Sequence, residues 1–467
     1  MKRNIRFTLI ILILLMIFTY PVSSLEITKD QAVEDLNHLY NRIEEVHPNI
    51  YFHQSKDEAQ NKISEINNEL KTKDKWSDIE LYRLFSPFVA SFKDGHTGLL
   101  IWDIFNEYYN NEGKVFPFDV KIIDDEVLIY KNYTDNKINK GTKILAINDI
   151  PIDDIITRFE KSISSENVGF SNAKIERNFP IYLWIHYDFE NDYYNVNLED
   201  NQKNYQIEVA GVTQDNRNKN EEQNERKNWS LDFPIEGTAY LTINTFDGSL
   251  IDEFKKDIDL YFEEINNKNI EGLFIDISEN GGGNTDLAKY LFEYIYDKPY
   301  NLFKEVRIKH SKYAAKQSFD FLTNAYYNLR KNEDGLVIFK SDESKPKELE
   351  NRFDGKVYVV VSNYTFSTAV DFAAMVKDHD AGVIMGENTG GLPSTYGDII
   401  RDELPNSKLG LGISYKYFLR PAGFDNGKPI LADEKIDVNK LKYWYNDSRY
   451  KNMIIKSIIY KRRCLYE

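Results

Sequence analysis

Val357-Tyr358-Val359-Val360-Val361-Ser362-Asn363-Tyr364-Thr365-Phe366-Ser367-Thr368-Ala369-Val370 reads as a buried strand, a tight turn and the first turn of a helix. The apolar and mostly β-branched run Val357 to Val361 suits the middle of a sheet covered on both faces. Asn363-Tyr364-Thr365 makes the turn. Ala369, Val370, Phe372, Ala373, Ala374, Met375 and Val376 then give the following helix a surface to pack on that sheet. A serine at this junction, Ser367, sits at the sheet edge, where the unpaired N–H groups of the first helical turn favour a nearby negative charge. That placement suits a nucleophile. Taken alone, however, an N-cap is the favoured reading, since serine is a preferred capping residue.

Outward from this stretch, strands alternate with helices. Ala239 to Ile243 and Leu273 to Ile277 read as strands, Ile251 to Ile265 and Asp286 to Tyr296 as helices, and Gly382 to Met385 as a further strand. Such alternation predicts an α/β core with parallel pairing. The Leu273–Ile277 strand runs into Glu279-Asn280-Gly281-Gly282-Gly283-Asn284. Consecutive glycines let backbone N–H groups turn toward a ligand at close range. No Lys-Ser or Lys-Thr follows, so a phosphate loop is a weak reading; an oxyanion hole and a plain turn stay open.

Toward the N-terminus, apolar residues from Ala32 to Leu70 recur at helical spacing, broken at His47-Pro48-Asn49. A second helical stretch, Asp78 to Phe92, leads into Asp94-Gly95-His96-Thr97. Of the seven histidines (His38, His47, His53, His96, His186, His310 and His379), His96 alone has small neighbours and a predicted loop position. A lone histidine is more often structural or on the surface than catalytic. None of the seven stands at metal-ligand spacing from carboxylates, so neither a metal nor a cofactor is expected. Between Val115 and Ala210 short strands and turns predominate, and Gly141 to Asp149 resembles the carboxylate-site half of a PDZ domain.

The remaining signals bound the class. The chain has 467 residues, 42% of them apolar and 29% charged. That is enough for several cored domains. A formal net charge of -16 argues against nucleic acid as a partner, because phosphate binding needs clustered Lys and Arg. Lys2, Arg3 and Arg6 precede the apolar run Phe7 to Phe18 and the small residues Val22-Ser23-Ser24. Residues 1–24 therefore read as an export signal, with an uncleaved anchor as the competing reading and the only expected route to a membrane. A single cysteine, Cys464, excludes an internal disulfide framework and a cysteine zinc site.

Taken in order, Asp94-Gly95-His96-Thr97, Ile275-Asp276-Ile277 with Gly281-Gly282-Gly283, Thr365-Phe366-Ser367-Thr368-Ala369, and Gly386-Glu387-Asn388-Thr389-Gly390 resemble the C-terminal processing (tail-specific) and tricorn-like serine peptidases. The resemblance implies an α/β, crotonase-like (ClpP/crotonase-type) catalytic core that hydrolyses peptide bonds of a polypeptide substrate. It implies Ser367 as nucleophile, the N–H groups of Gly282 and Thr368 as oxyanion donors, and Gly281, Gly283, Thr389 and Gly390 along the substrate. The family's serine–lysine dyad is absent, because the lysine position twenty-five beyond Ser367 is Leu392. The tricorn-like branch uses an early histidine, matched by His96, and a late carboxylate, best matched by Asp425 with Asp433 second. The hydroxyl position before the histidine is Gly95, leaving that role to Thr97 or unfilled. The expected organisation is a signal at 1–24, a helical domain at 25–112, a PDZ-like β domain at 113–212, a polar linker at 213–228, the catalytic domain at 229–440 and a surface tail at 441–467. An exported serine endopeptidase is the leading reading. A catalytically silent relative that binds peptides or hydrophobic ligands is the alternative, and a small-ester hydrolase would share the same parts.

Overall fold

The computed structural model describes residues 26–189, 192–221 and 227–466; the N-terminal signal-like segment falls outside them, as does the side chain of Cys464. No helix among the described residues is long and apolar enough to cross a membrane.

At the centre is a six-stranded sheet ordered Trp229–Asp232, Thr238–Ile243, Gly272–Asp276, Lys356–Val361, Val383–Gly386, Glu434–Lys435. The first pair is antiparallel and every later pair parallel. Parallel strands need crossovers, and the helices Ile251–Asn266, Thr285–Glu293 and Thr368–Asp378 supply them. Their apolar stripes (Phe254, Ile258, Leu287, Leu291, Phe372 and Val376 among them) form one buried cluster with Leu241, Ile275 and Val359 of the sheet. The alternation in the sequence predicted this layer.

The opposite face was not foreseen. Val438, Tyr450, Ile454, Ile455 and Ile458 pack against Tyr240, Phe274, Tyr358 and Val360. The segment expected to be a surface tail is thus the second cover of the sheet, built from the helices Val438–Trp444 and Asp447–Tyr466. Its basic residues hid an apolar face whose partner lies two hundred residues upstream. Tyr450 also donates to Asp276 Oδ2 at 3.0 Å, beside Tyr240 at 2.8 Å, while Ser278 Oγ and N–H bond Oδ1 at 2.5 and 2.9 Å. Asp276 ends the strand before the triple glycine, so this buried carboxylate fixes where that turn starts.

The N-terminal region is helical as expected: Lys29–Val46, Lys56–Leu70 and Asp78–Ala90 each open on a capping box, from Thr28 with Gln31, Ser55 with Glu58 and Ser77 with Glu80. The middle region departs from the expectation of strands alone. Its antiparallel sheet (Phe118–Ile123, Glu126–Asn132, Lys143–Ile147, Tyr193–Asp200, Lys203–Ala210) carries two helices, Ile152–Ser162 and Val168–His186. The second helix is kinked at Asn178, two residues before Pro180. The polar stretch read as a linker begins with a helix, Gln214–Glu221, whose Arg217 pairs with Asp119.

A second antiparallel sheet joins the regions. Its order is Leu336–Lys340, Glu305–Lys309, Gly410–Leu419, Thr395–Glu403, and the short strand Gly98–Leu100 pairs with Gly410–Gly412 on its side. Leu99, Leu411, Ile413 and the N-terminal helices share one core. The segment following His96 is thereby stitched into the catalytic half.

If the C-terminal helix is structural cover, Ile454→Ala removes a fully buried side chain from under the sheet. Its expected cost is about 2–5 kcal/mol, read as a lower midpoint in urea unfolding. An unchanged midpoint would return the segment to the surface.

Candidate active site

The turn after Val361 decides the geometry of Ser367. Thr365 Oγ1 donates to the Ile277 carbonyl at 3.0 Å and Ser362 Oγ bonds the Ser278 carbonyl, which locks the turn to the neighbouring strand. The helix starts at Thr368, and Ser367 before it has φ 54°, ψ -131° and makes no capping hydrogen bond. A side chain in that left-handed region costs about 1–3 kcal/mol. The N-cap reading therefore fails: the serine is held in a strained conformation and its hydroxyl is left available. His96 Nε2 lies 3.1 Å from it.

His96 is placed by its neighbours in Asp94-Gly95-His96-Thr97. Asp94, almost fully buried, accepts the His96 N–H at 3.0 Å on Oδ1. Its Oδ2 accepts the Thr97 hydroxyl at 2.5 Å and the Ser414 hydroxyl at 2.7 Å, and faces His47 Nε2 at 3.2 Å. Thr97 Oγ1 in turn accepts the Ser414 N–H at 3.0 Å. Burial alone would raise the Asp94 pKa, but the His47 hydrogen bond and charge, His96 and the Ser414 hydroxyl together hold it well below the ordinary carboxylate value. Thr97 thus serves Asp94 instead of the imidazole.

Gly95 is required by space. A Cβ there would stand 2.6 Å from Glu166 Oε2 and 2.9 Å from the Phe366 ring. His96 stacks on Phe366 at 4.4 Å, and Phe366 on Phe170 at 4.1 Å. Lys174 Nζ donates to the Gly95 carbonyl at 3.1 Å and to Ser164 O at 2.6 Å, gripping the loop from below. Burial, with Asp94 nearby, pushes the Glu166 carboxyl up, and burial pushes Lys174 down. His96 itself is pulled below its ordinary 6.5, chiefly by burial, which Asp94 partly opposes. Asp94, His96 and Glu166 have ligand-type atoms within 4.8 Å of one another. This close pairing of histidine with carboxylates was invisible in the linear spacing. The Asp94 oxygens are taken by the bonds above, whereas both Glu166 oxygens and His96 Nδ1 are buried without a hydrogen-bond partner.

The expected carboxylate partners are not at the imidazole. Asp425 accepts from Tyr417 Oη at 2.7 Å and from Gly427 N–H at 2.8 Å. Asp433 is used by Lys377 and by Ile384 N–H. The nearest carboxylate to His96 Nδ1 is that of Asp94, at 3.9 Å. Counting positions from Ser367 placed the carboxylate too late, because the hairpin Thr395–Leu419 carries the chain past the imidazole before Asp425 is reached.

The glycine turn is also rearranged. Gly282, at φ 102°, would place a Cβ 2.6 Å from Ser367 Cβ and 2.9 Å from Thr368 N, so only glycine fits against Ser367. Its N–H already donates to Asn280 Oδ1 at 2.8 Å, which removes it from the expected oxyanion role in this conformation. Gly283 lines the same cavity. The bridge to Phe246 uses the N–H groups of Phe246 and Asn284, leaving the Gly283 N–H out of that ladder. Thr368 opens the helix, where its N–H has no intrahelical acceptor, and its hydroxyl ties to the Gly283 carbonyl at 2.7 Å. Gly281 is exposed at the turn.

Thr389 and Gly390 do not face substrate space. Thr389 is 1% exposed, bonded through Oγ1 to Gly391 O and Ile430 N. Gly390 N–H reaches Thr365 O at 2.9 Å, and Asn167 Nδ2 holds the Gly390 carbonyl at 2.6 Å. Both brace the nucleophile turn from behind. Leu392, in the position where the dyad lysine is missing, is buried.

A cavity of about 250 Å³ opens beside Ser367 and His96. Asp371 and Asp398 line it, and neither was singled out by the sequence. The signal for Asp371 was its place one helical turn beyond Ser367.

Residues 237–436 match the model of peptidase family S41. No curated protein matches the sequence. The fold is similar to crystal structures of mature CPAF (14% identity, TM-score 0.66, 92% of this chain and 96% of that one) and of mature CPAF complexed with lactacystin (15%, 0.64, 92% and 97%). A photosystem II D1 C-terminal processing protease also aligns, at 13% identity and TM-score 0.45 over 87% of this chain and 93% of that one.

Because the folded Asp94 is more acidic than an ordinary carboxylate of 3.8, its contribution to stability is present above that value and is lost as pH falls through its folded pKa. Asp94→Asn is expected to be less stable than wild type at pH 6, with a urea midpoint that falls less steeply on acidification below 3.8. Parallel wild-type and variant curves would show that Asp94 is not the charged hub.

Proposed function

We propose that this chain, whose residues 237–436 belong to peptidase family S41, is an exported serine endopeptidase that cuts polypeptides with Ser367 as nucleophile and His96 as general base. The observation that carries the reading is the 3.1 Å contact between His96 Nε2 and Ser367 Oγ. A serine hydroxyl needs a base within hydrogen-bond reach to become nucleophilic, and burial favours the neutral imidazole that can take the proton. Ser367 attacks the scissile carbonyl and His96 receives its proton and passes it to the leaving amine; a water that gives its proton to His96 then attacks the acyl-serine, and the proton returns to Ser367 as the carboxylic acid leaves. The oxyanion that forms lies at the positive end of the Thr368–Asp378 helix, within reach of the Thr368 N–H and of the glycine turn. Gly282 contributes clearance there, and Gly283 is our choice for the second donor. Asp94 replaces Asp425 as the carboxylate that orients the loop and stabilises the imidazolium.

The strained serine is also an argument against a silent binding relative, since a protein that only binds gains nothing from holding Ser367 in a costly conformation. The central sheet with its helices corresponds to a crotonase-like core, and the Phe118–Ala210 sheet to a PDZ-like module. Export rests on Lys2, Arg3, Arg6 and the apolar run that follows them.

A fluorophosphonate probe tests the assignment on the purified protein. Wild type should be labelled, Ser367→Ala not at all, and His96→Ala at a rate lower by about 10²–10⁴. Labelling that persists in Ser367→Ala would refute the nucleophile. The base must be neutral and its pKa is lowered, so the labelling rate should hold down to pH 6.5 and fall only below it. A rate already falling above pH 6.5 contradicts a buried His96 base.

A further inference from the structure

Asp371 lies four residues beyond Ser367 on the helix that follows it, its N–H on the Ser367 carbonyl at 3.1 Å, and both residues line one cavity. It is 6% exposed, and its Oδ1 is buried with no hydrogen-bond partner. No ion pair reaches it among the described residues. Asp94 is engaged by four donors and Asp276 by tyrosines and Ser278, while Glu166, whose oxygens also lack hydrogen-bond partners, lies behind Gly95 with Lys174 as a neighbouring charge; Asp371 has no such cation. A buried carboxyl without a partner opposes folding, yet this one fronts the cavity that Ser367 and His96 share.

The walls fit a long cationic side chain. Phe303 and Phe418, with ring centroids 4.7 Å apart, line the cavity, and Thr395 and Gly397 complete its rim. Aromatic walls pack the methylene stem of a lysine or arginine and attract its charged head. Asp398, the other acid on the lining, is bonded to Lys416 at 2.5 Å. A cationic head would therefore find Asp371 as the unpaired carboxyl of the lining, Asp398 being already matched by Lys416. Burial, reinforced by Asp398, pushes the empty-pocket Asp371 carboxyl up to about 8. An arriving ammonium or guanidinium supplies the missing counter-charge and draws the carboxyl into its ionised form.

Resting on the peptidase reading above, we propose that Asp371 determines specificity and that the preferred substrates carry lysine or arginine immediately before the cleaved bond. Asp371 binds the side-chain cation and takes no part in the bond-breaking step.

The test uses matched fluorogenic peptides differing only at that residue: Lys, Arg, norleucine, Ala and Glu. Norleucine is the lysine stem without its ammonium. Wild type should favour Lys and Arg over norleucine in kcat/KM by at least ~tenfold, since a site built for a polar group rejects the analogue that lacks it. In Asp371→Asn the Lys-to-norleucine ratio should collapse toward one, and Asp371→Glu should restore part of it. Benzamidine should slow fluorophosphonate labelling of Ser367 in wild type and not in Asp371→Asn. If the asparagine variant does not fold, the wild-type ratio and the benzamidine competition decide. Labelled, active enzyme that cuts after norleucine as well as after lysine overturns this inference alone. Absence of both labelling and turnover overturns the peptidase reading and this inference with it.

Discussion

The site depends on holding an imidazole against a hydroxyl 271 residues away in sequence. The two come from different regions of the chain, and a 3 Å contact between them survives only if the backbones behind them are rigidly joined. The joint is a strand of three residues, Gly98–Leu100, laid antiparallel on Gly410–Gly412, with Asp94 and Thr97 bonding Ser414 one turn of the pleat further on. Backbone pairing fixes the approach of the loop, and the buried carboxylate fixes its rotation. The Phe170–Phe366–His96 stack then limits the ring to one plane. Each of these three constraints uses groups from both sides of the gap.

Polarity around the imidazole is arranged in layers. Asp94 keeps its charge because four donors surround it, while burial disfavours the charged forms of the neighbouring Glu166 and Lys174. In a low-dielectric setting every fixed charge acts strongly on its neighbours. Of these groups Asp94 alone is held in a setting that favours its charged form, and its charge only partly offsets the lowering of the His96 pKa by burial.

The parts legible in the sequence were those whose signal is local. The Val357–Val361 strand, the apolar helix face after Ser367 and the glycine triplet each state their structure within ten residues, and the alternation of such units gives the α/β layer. Ser367 and His96, which the fold brings to 3.1 Å, could be singled out because their motifs are short. What escaped depends on distant partners. The helix Val168–His186 carries an interior proline and a weakly one-sided apolar pattern, so it resembles a loop. Asp94 reads as a turn residue until His47 and Ser414 are brought to it. Asp425 and Gly282 were placed by positional likeness, and in each case a nearby group, Tyr417 Oη or Asn280 Oδ1, claims them instead. Asp371 looked like any polar residue on a helix; only the cavity in front of it gives it meaning.

The C-terminal helix covers the face of the central sheet that carries Tyr240, Phe274 and Tyr358, and its Tyr450 bonds the aspartate that anchors the glycine turn. On the ribosome this helix emerges after every other element of the sheet has been made. Until it arrives, one whole apolar face is bare and the backbone beside the serine lacks one of its props. The order of synthesis therefore leaves the turn that carries Ser367 short of one support until this helix docks.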